Sequence, residues 1–292
     1  MSTKISEINP IEYSCNGKII TFNKPLIMGI VNITPDSFYD GGKYGSVKDI
    51  LYDVEEKISL GADIIDIGAA SSRPNSKEIP EQEEWERLKE ALVELRKKFP
   101  KIIISVDTYR AAVAKKSAEH GADMINDIGG GTLDGKMFET IARLNLPYIL
   151  MHIQGTPQTM QDAPAYTNVV KDIKQIFESK LAILEKLNFK KILLDPGFGF
   201  GKTLENNYEL LKGLGEFTSF GFPILAGVSR KGMINKVIGT NPVTALNGTT
   251  VLNTIALLNG ASILRVHDVT EAKQAIELTE FYKKCNSRVF YF

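Results

Sequence analysis

The sequence predicts a (β/α)8 barrel, and three observations carry the prediction. Eight short apolar runs alternate with eight longer helical patterns across 292 residues. The runs are continuous rather than alternating, as parallel strands covered on both faces require. Every run ends on a hydrogen-bonding or charged residue, which is where such barrels carry their sites.

The elements follow in order. Glu12–Phe22, with Asn16-Gly17 in the middle, reads as a β-hairpin that plugs the bottom of the barrel. Strands are expected at Leu26–Val31, Ile64–Ile67, Ile102–Val106, Met124–Asn126, Tyr148–Met151, Ile192–Leu194, Ile224–Val228 and Ile263–Val266. Apolar residues three and four apart predict helices at Val47–Leu60, Glu81–Phe99, Ala111–His120, Lys136–Leu144, Asn168–Leu187, Leu204–Leu211, Val243–Leu258 and Glu271–Lys284. Pro80 precedes the acidic first turn Glu81, Glu83 and Glu84, which suits the positive end of a helix dipole. Gly61, Gly121 and Gly260 stand where helix C-terminal caps are wanted. No Pro/Gly/Ser-rich linker divides the chain, so a single domain is expected, with 1–24 as the hairpin extension and 25–285 as the barrel. A doubly wound open sheet is the structural alternative, but it needs less apolar edge strands than these.

Composition narrows the function. Lys and Arg number 35 and Asp and Glu number 35, so non-specific binding to nucleic acid or an anionic membrane is not expected. Cys15 and Cys285 fit neither a metal spacing nor a disulfide framework. Met1–Asn9 has no apolar run, and no window approaches the roughly 20 apolar residues of a membrane span. A cytoplasmic protein is expected.

The strand ends carry Asn32, Asp66, Asp107, Asn126 with Asp127, His152, Asp195, Ser229 with Lys231, and Arg265 with His267. Gathering so many polar groups at one mouth is costly unless they pair or bind something. Asp107, Asn126 and Asp195 offer the carboxylate and amide edges that read a flat heterocycle. Lys231, Arg265 and His267 suit an anion, although a salt bridge to Asp268 is the bland use of Arg265 and His267. The pattern asks for a substrate with a flat polar head and a phosphate-like tail. A weak internal echo accompanies it: Gly61-Ala62-Asp63, Gly121-Ala122-Asp123 and Gly260-Ala261-Ser262 each lead into a strand, with Asp66, Asn126 and Arg265 at one offset. The segment Gly197–Thr203 lacks the glycine spacing of a phosphate loop and reads as a flexible aromatic platform that sets Phe200 against a ring.

Several segments together resemble the dihydropteroate synthase family. They are Asn32-Ile33-Thr34-Pro35-Asp36-Ser37-Phe38, Ser71-Ser72-Arg73-Pro74, Ser105-Val106-Asp107-Thr108, Asn126-Asp127, Met151-His152-Ile153-Gln154-Gly155, Asp195–Lys202, Ser229-Arg230-Lys231 and Arg265-Val266-His267-Asp268. The resemblance implies condensation of 6-hydroxymethyl-7,8-dihydropterin diphosphate with 4-aminobenzoate, giving 7,8-dihydropteroate and pyrophosphate in folate biosynthesis. It implies that Asp107, Asn126, Asp195 and Lys231 hold the pterin, and that Arg265 and His267 bind the diphosphate. It further implies that Asn32 coordinates Mg2+ with the diphosphate, and that Ser72, Arg73 and Pro74 belong to a loop that closes over the second substrate, with Phe200 beside it. Lys231, Asp107 and Arg265 are the expected catalytic residues, and a homodimer built on late helices is expected. The chain departs from the family's usual second loop: Ala69-Ala70-Ser71-Ser72-Arg73-Pro74-Asn75 lacks a glutamate and a final glycine. Gly232 stands where some members have a hydroxyl. Rival readings are a methyltetrahydrofolate methyltransferase, which needs no diphosphate site, a Schiff-base enzyme using Lys231, and a non-catalytic pterin-binding protein.

Overall fold

The computed structural model describes residues 10–33, 46–70 and 78–285. Strands β1 (Ile11–Cys15) and β2 (Lys18–Phe22) form an antiparallel hairpin. Its two-residue turn places Asn16 at φ 44° and Gly17 at φ 76°, the pair of positive angles that a tight hairpin turn demands.

Eight parallel strands follow. They are β3 (Leu26–Asn32), β4 (Ile64–Gly68), β5 (Ile103–Asp107), β6 (Met124–Asp127), β7 (Tyr148–Met151), β8 (Ile192–Asp195), β9 (Leu225–Ala226) and β10 (Ile263–Val266). Consecutive strands pair from β3 through β8, β10 joins β3 to β9, and a parallel bridge from Leu194 to Ile224 closes the circle. The helices are α1 (Val47–Leu60), α2 (Glu81–Lys98), α3 (Ala111–Glu119), α4 (Met137–Leu144), α5 (Val169–Lys186), α6 (Leu204–Lys212), α7 (Gly232–Ile238), α8 (Leu246–Leu258) and α9 (Val269–Lys284). Side chains such as Ile65, Ile67, Ile104, Val106, Leu194 and Val266 point outward and bury against these helices.

The interior is layered by the two-residue period of a strand. Met28, Ile64, Ile103, Met124, Ile149, Leu193, Leu225 and Ile263 form the lower layer, one from each barrel strand, and Tyr13, Cys15 and Ile20 of the hairpin pack onto it. The Tyr13 hydroxyl donates to the carbonyl of Ile192 at 2.7 Å, fastening the plug to the barrel floor. Two residues further along each strand stand Ile30, Asp66, Ser105, Asn126, Met151, Asp195, Gly227 and Arg265. The change from wholly apolar to largely polar between these layers positions the site.

Four expectations change in the structure. Five strands run one residue further than the apolar runs, into Asn32, Gly68, Asp107, Asp127 and Asp195. β9 is two residues long rather than five. Helix α8 begins at Leu246 rather than Val243, because the Asn241 side chain accepts from the backbone N–H groups of Val243 and Thr244 and holds a turn there. Helix α7 and a 3-10 helix at Leu214–Phe220 are additions.

The repeated Gly-Ala-Asp has a structural basis. Gly61, Gly121 and Gly260 adopt φ of 108°, 104° and 94°, turning the chain out of each helix. The Asp63 carboxylate then accepts from the N–H of Ile27 at 2.9 Å, and that of Asp123 from the N–H of Ile104 at 3.0 Å. Each aspartate caps the start of a neighbouring strand.

Candidate active site

The upper layer brings three strands to one carboxylate and reaches a fourth through an arginine. Asp66 Oδ2 accepts from Arg265 Nε at 2.7 Å and from Asn126 Nδ2 at 3.1 Å. Arg265 Nη2 donates at 2.9 Å to Oδ2 of Asp107 at the end of β5. Residues at one offset in three repeats therefore meet in space. Asp66 is fully buried while the Arg265 side chain keeps 20% exposure, so the guanidinium spans from the barrel interior to the mouth.

A second cation stands beside the first. Lys231 precedes α7, its ammonium donates to the carbonyl of Phe198, and it lies 4.8 Å from the centre of the Phe200 ring. Burial pushes its pKa down to about 8; the Asp195 charge opposes that shift and Arg265 adds to it. Asp195 accepts from the N–H of Gly197 at 2.7 Å. Burial raises its pKa against the pull of Lys231. Asp107 is pushed up to about 7, chiefly by burial; Arg265 pulls the other way, while Asp66 and Glu84 add to the rise. Asp107, Asp195, Lys231 and Arg265 thus form an alternating field in which each charge senses the others.

The Gly197–Thr203 segment is pinned, not loose. Lys202 is buried, and its Nζ donates to Gly197 O at 2.8 Å and Phe200 O at 3.0 Å and lies 3.0 Å from His152 Nδ1. Three partners surround the nitrogen, so it acts as an internal staple. Gly197 cannot be replaced without distortion, since a Cβ there would sit 1.9 Å from the carbonyl oxygen of His152 at a φ of +73°. The pinning aims the Phe200 ring at Lys231. His152, buried with Lys202, is spent on this staple rather than on the mouth.

Other strand-end residues separate by role. Asp127 faces away from Asn126 and accepts from Gly129 N and Gly131 N, both at 2.7 Å, and from the Tyr148 hydroxyl at 2.6 Å. It organises its own loop. His267 is exposed at the rim, with Nδ1 3.0 Å from Ser229 Oγ. Asp268 pairs with Arg230 through two contacts of 2.9 and 2.6 Å and not with Arg265 or His267. Arg230 holds the left-handed φ of 56°, and this clamp keeps its neighbours Ser229 and Lys231 aimed at the mouth. Asn32 ends β3 and is exposed there. Ser72 and Arg73 lie outside the described residues. Asp66 and Lys202 organise the mouth through their contacts, and sequence reasoning leaves both without a role. The shared offset with Asn126 and Arg265 was a signal for Asp66. Nothing in the sequence singles out Lys202 as a staple.

Comparison with known proteins agrees with this geometry. The model of the pterin binding enzyme family matches residues 28–267. Dihydropteroate synthase of Escherichia coli K12 is 41% identical over 266 residues, covering 90% of this chain and 94% of its own. The Yersinia pestis dihydropteroate synthase, solved with a sulfonamide drug complex, superposes with a TM-score of 0.90 at 39% identity, covering 94% of this chain and all of its own. The Xanthomonas albilineans dihydropteroate synthase, solved with 4-aminobenzoic acid, superposes with a TM-score of 0.88 at 33% identity, covering 95% of this chain and all of its own. With the family model matched over residues 28–267 and a relative 41% identical over 90% of the chain, the chain belongs to the pterin binding enzyme family, among the dihydropteroate synthases.

Proposed function

We propose that the protein joins 6-hydroxymethyl-7,8-dihydropterin diphosphate to 4-aminobenzoate, forming 7,8-dihydropteroate and pyrophosphate. The observation that carries the reading is the convergence of Asp107, Asn126, Asp195, Lys231 and Arg265 on one end of the barrel, two cations among carboxylates and an amide. The carboxylates of Asp107 and Asp195 accept N–H groups of the ring, and Asn126 reads its edge. As the bond from the exocyclic carbon to oxygen breaks, the electron pair leaves with the diphosphate. Positive character grows on the pterin and is met by the two carboxylates, while Arg265, with His267 at the rim, meets the departing anion. The arylamine lone pair forms the new C–N bond, and its proton passes to solvent. An arylamine is nucleophilic near neutral pH, so no strong general base is needed.

Magnesium fits this mouth as a companion of the substrate. Among the described residues no three His, Cys, Asp or Glu side chains gather into a metal cage, and Asn32 offers one amide oxygen at an exposed strand end. Magnesium keeps waters and substrate phosphates as most of its ligands, so one protein oxygen suffices. Bound there, it would neutralise diphosphate charge.

Self-association through late helices completes the reading. Val251, Ile255 and Leu258 on α8 and Leu278, Phe281 and Tyr282 on α9 are exposed apolar residues on two adjoining helices. Sedimentation of the purified protein should give twice the chain mass, and Phe281→Glu should shift it towards one. No described helix is long and apolar enough to cross a membrane.

The test is pyrophosphate release with and without 4-aminobenzoate and magnesium. Its pH dependence is specified by the site. kcat/KM reports groups of the free enzyme. Ring binding needs Asp107 ionised, so activity should fall as pH drops below about 7; it needs Lys231 charged, so activity should fall again above about 8. A narrow bell is expected, and a flat profile from pH 6 to 9 contradicts the assignment.

A further inference from the structure

We infer that Asp66 is a positioning residue that orients the ring-reading amide of Asn126 and the anion-binding guanidinium of Arg265 from beneath through one shared carboxylate oxygen. The inference rests on the functional reading above and adds a residue that lies below the ligand-facing set. Asp66 has no exposed surface, and its Oδ2 accepts both contacts, from Arg265 Nε at 2.7 Å and from Asn126 Nδ2 at 3.1 Å. Among the described residues its Oδ1 has no hydrogen-bond partner, and neither has Oγ of Ser105, its register neighbour on β5. A buried carboxylate oxygen left without a partner is costly. The carboxylate balances the charge of Arg265, yet its second oxygen is held there at a cost.

The chemistry of the amide supplies the function. A carboxylate can only accept, so the Asn126 amide must turn its nitrogen towards Asp66. That choice commits Oδ1 as the end available to a ligand. A ring N–H then finds an acceptor, and a ring carbonyl presented at the same point finds none. Asp66 therefore decides which face of the heterocycle Asn126 can read. The same oxygen holds Arg265 Nε, leaving the guanidinium's outer nitrogens for Asp107 and for an anion. The ring half and the anion half of the mouth are thereby tied to one atom.

A swap of side chains tests this. Asp66→Asn, Asn126→Asp and the pair together are compared by titration with two probes: 6-hydroxymethylpterin, which lacks phosphate, and inorganic pyrophosphate. Thermal melting confirms which variants are folded. Asn126→Asp sets two carboxylates at the 3.1 Å contact and should weaken the ring probe at least about tenfold. In the pair, the amide at position 66 donates to the carboxylate at 126, whose other oxygen still accepts from the ring, so ring affinity should return to within about threefold of wild type. Pyrophosphate binding should stay about tenfold weaker in Asp66→Asn and in the pair, since Arg265 has lost its buried carboxylate in both. Folded variants that bind both probes like wild type overturn the inference, and so does a pair no better on the ring probe than Asn126→Asp alone. Should Asp66→Asn fail to fold by itself, Asn126→Asp with and without it still decides the question. Wild-type protein that binds neither probe would instead sink the functional reading.

Discussion

Arg265→Ala is expected to cut turnover by orders of magnitude and to destabilise the fold, the second effect growing as pH rises. The guanidinium joins Asp66, fully buried, to Asp107 at the mouth. Without it two neighbouring carboxylates share no cation. Removing one partner of a buried ion pair costs about 3–5 kcal/mol; the 20% exposure of Arg265 lets solvent screen part of this, so the lower end is expected. The sign with pH follows from Asp107, whose pKa is raised by burial to about 7 even with Arg265 opposing the rise. A carboxylate that holds its proton more tightly folded than unfolded takes stability away as pH climbs through that interval. Loss of Arg265 raises it further. The variant's melting temperature should therefore fall more steeply than wild type's between pH 5 and 8, and kcat should drop about 10²–10³-fold or more, as for loss of a charge-stabilising donor. Calorimetry over that pH range checks the first effect and pyrophosphate release the second. A variant that melts like wild type at every pH removes the buried network from the account.

The barrel was legible because its signal is local. Each strand needs only a few β-branched residues covered on both faces, and each helix only its own amphipathic stripe. The boundaries slipped by one residue for a physical reason that also marks the site. An apolar run stops where the polar residue stands, whereas pairing continues through Asn32, Asp107 and Asp195. The residues that read as strand terminators are the C-terminal ends of the strands themselves. Helix α7 was not legible, because seven residues from Gly232 to Ile238 give too short a stripe to separate from a loop.

Within the site, residue types were legible and partners were not. Asp66, Asn126 and Arg265 share an offset in sequence, and that offset places them in one layer. It does not say that the three side chains meet on one oxygen, which depends on the shear of the closed barrel. Lys202 illustrates the converse. Beside glycines it suggests a phosphate-binding loop that the spacing then refuses, and only the fold shows its ammonium turned inward onto His152 and two carbonyls. Arg230 and Asp268, far apart in the chain, pair because β9 and β10 are neighbours.

Lys231→Met should separate catalysis from stability where Arg265→Ala does not. Methionine keeps the length of the lysine stem and removes the charge. Burial, aided by nearby Arg265, already pushes Lys231 down to about 8, so the fold gains little from holding an ammonium there. For a cation with a folded pKa below its unfolded one, stability rises as pH climbs through the interval; the neutral methionine should lose that dependence and melt within a few degrees of wild type at pH 7. Turnover should behave differently. Asp195 would keep the N–H of Gly197 but lose its neighbouring cation, and burial would then favour its protonated form. A protonated carboxyl no longer accepts two parallel N–H bonds from a ring, so kcat/KM should fall about 10²–10³-fold. The alkaline limb near pH 8 should vanish with the lysine that causes it, while an acid limb remains and moves upward, because Asp107 and Asp195 have lost a neighbouring cation. An alkaline limb that survives in Lys231→Met assigns it to another group. Full activity in the folded variant removes Lys231 from the mechanism, whereas a large loss without a matching loss of stability places its charge at the reacting pterin.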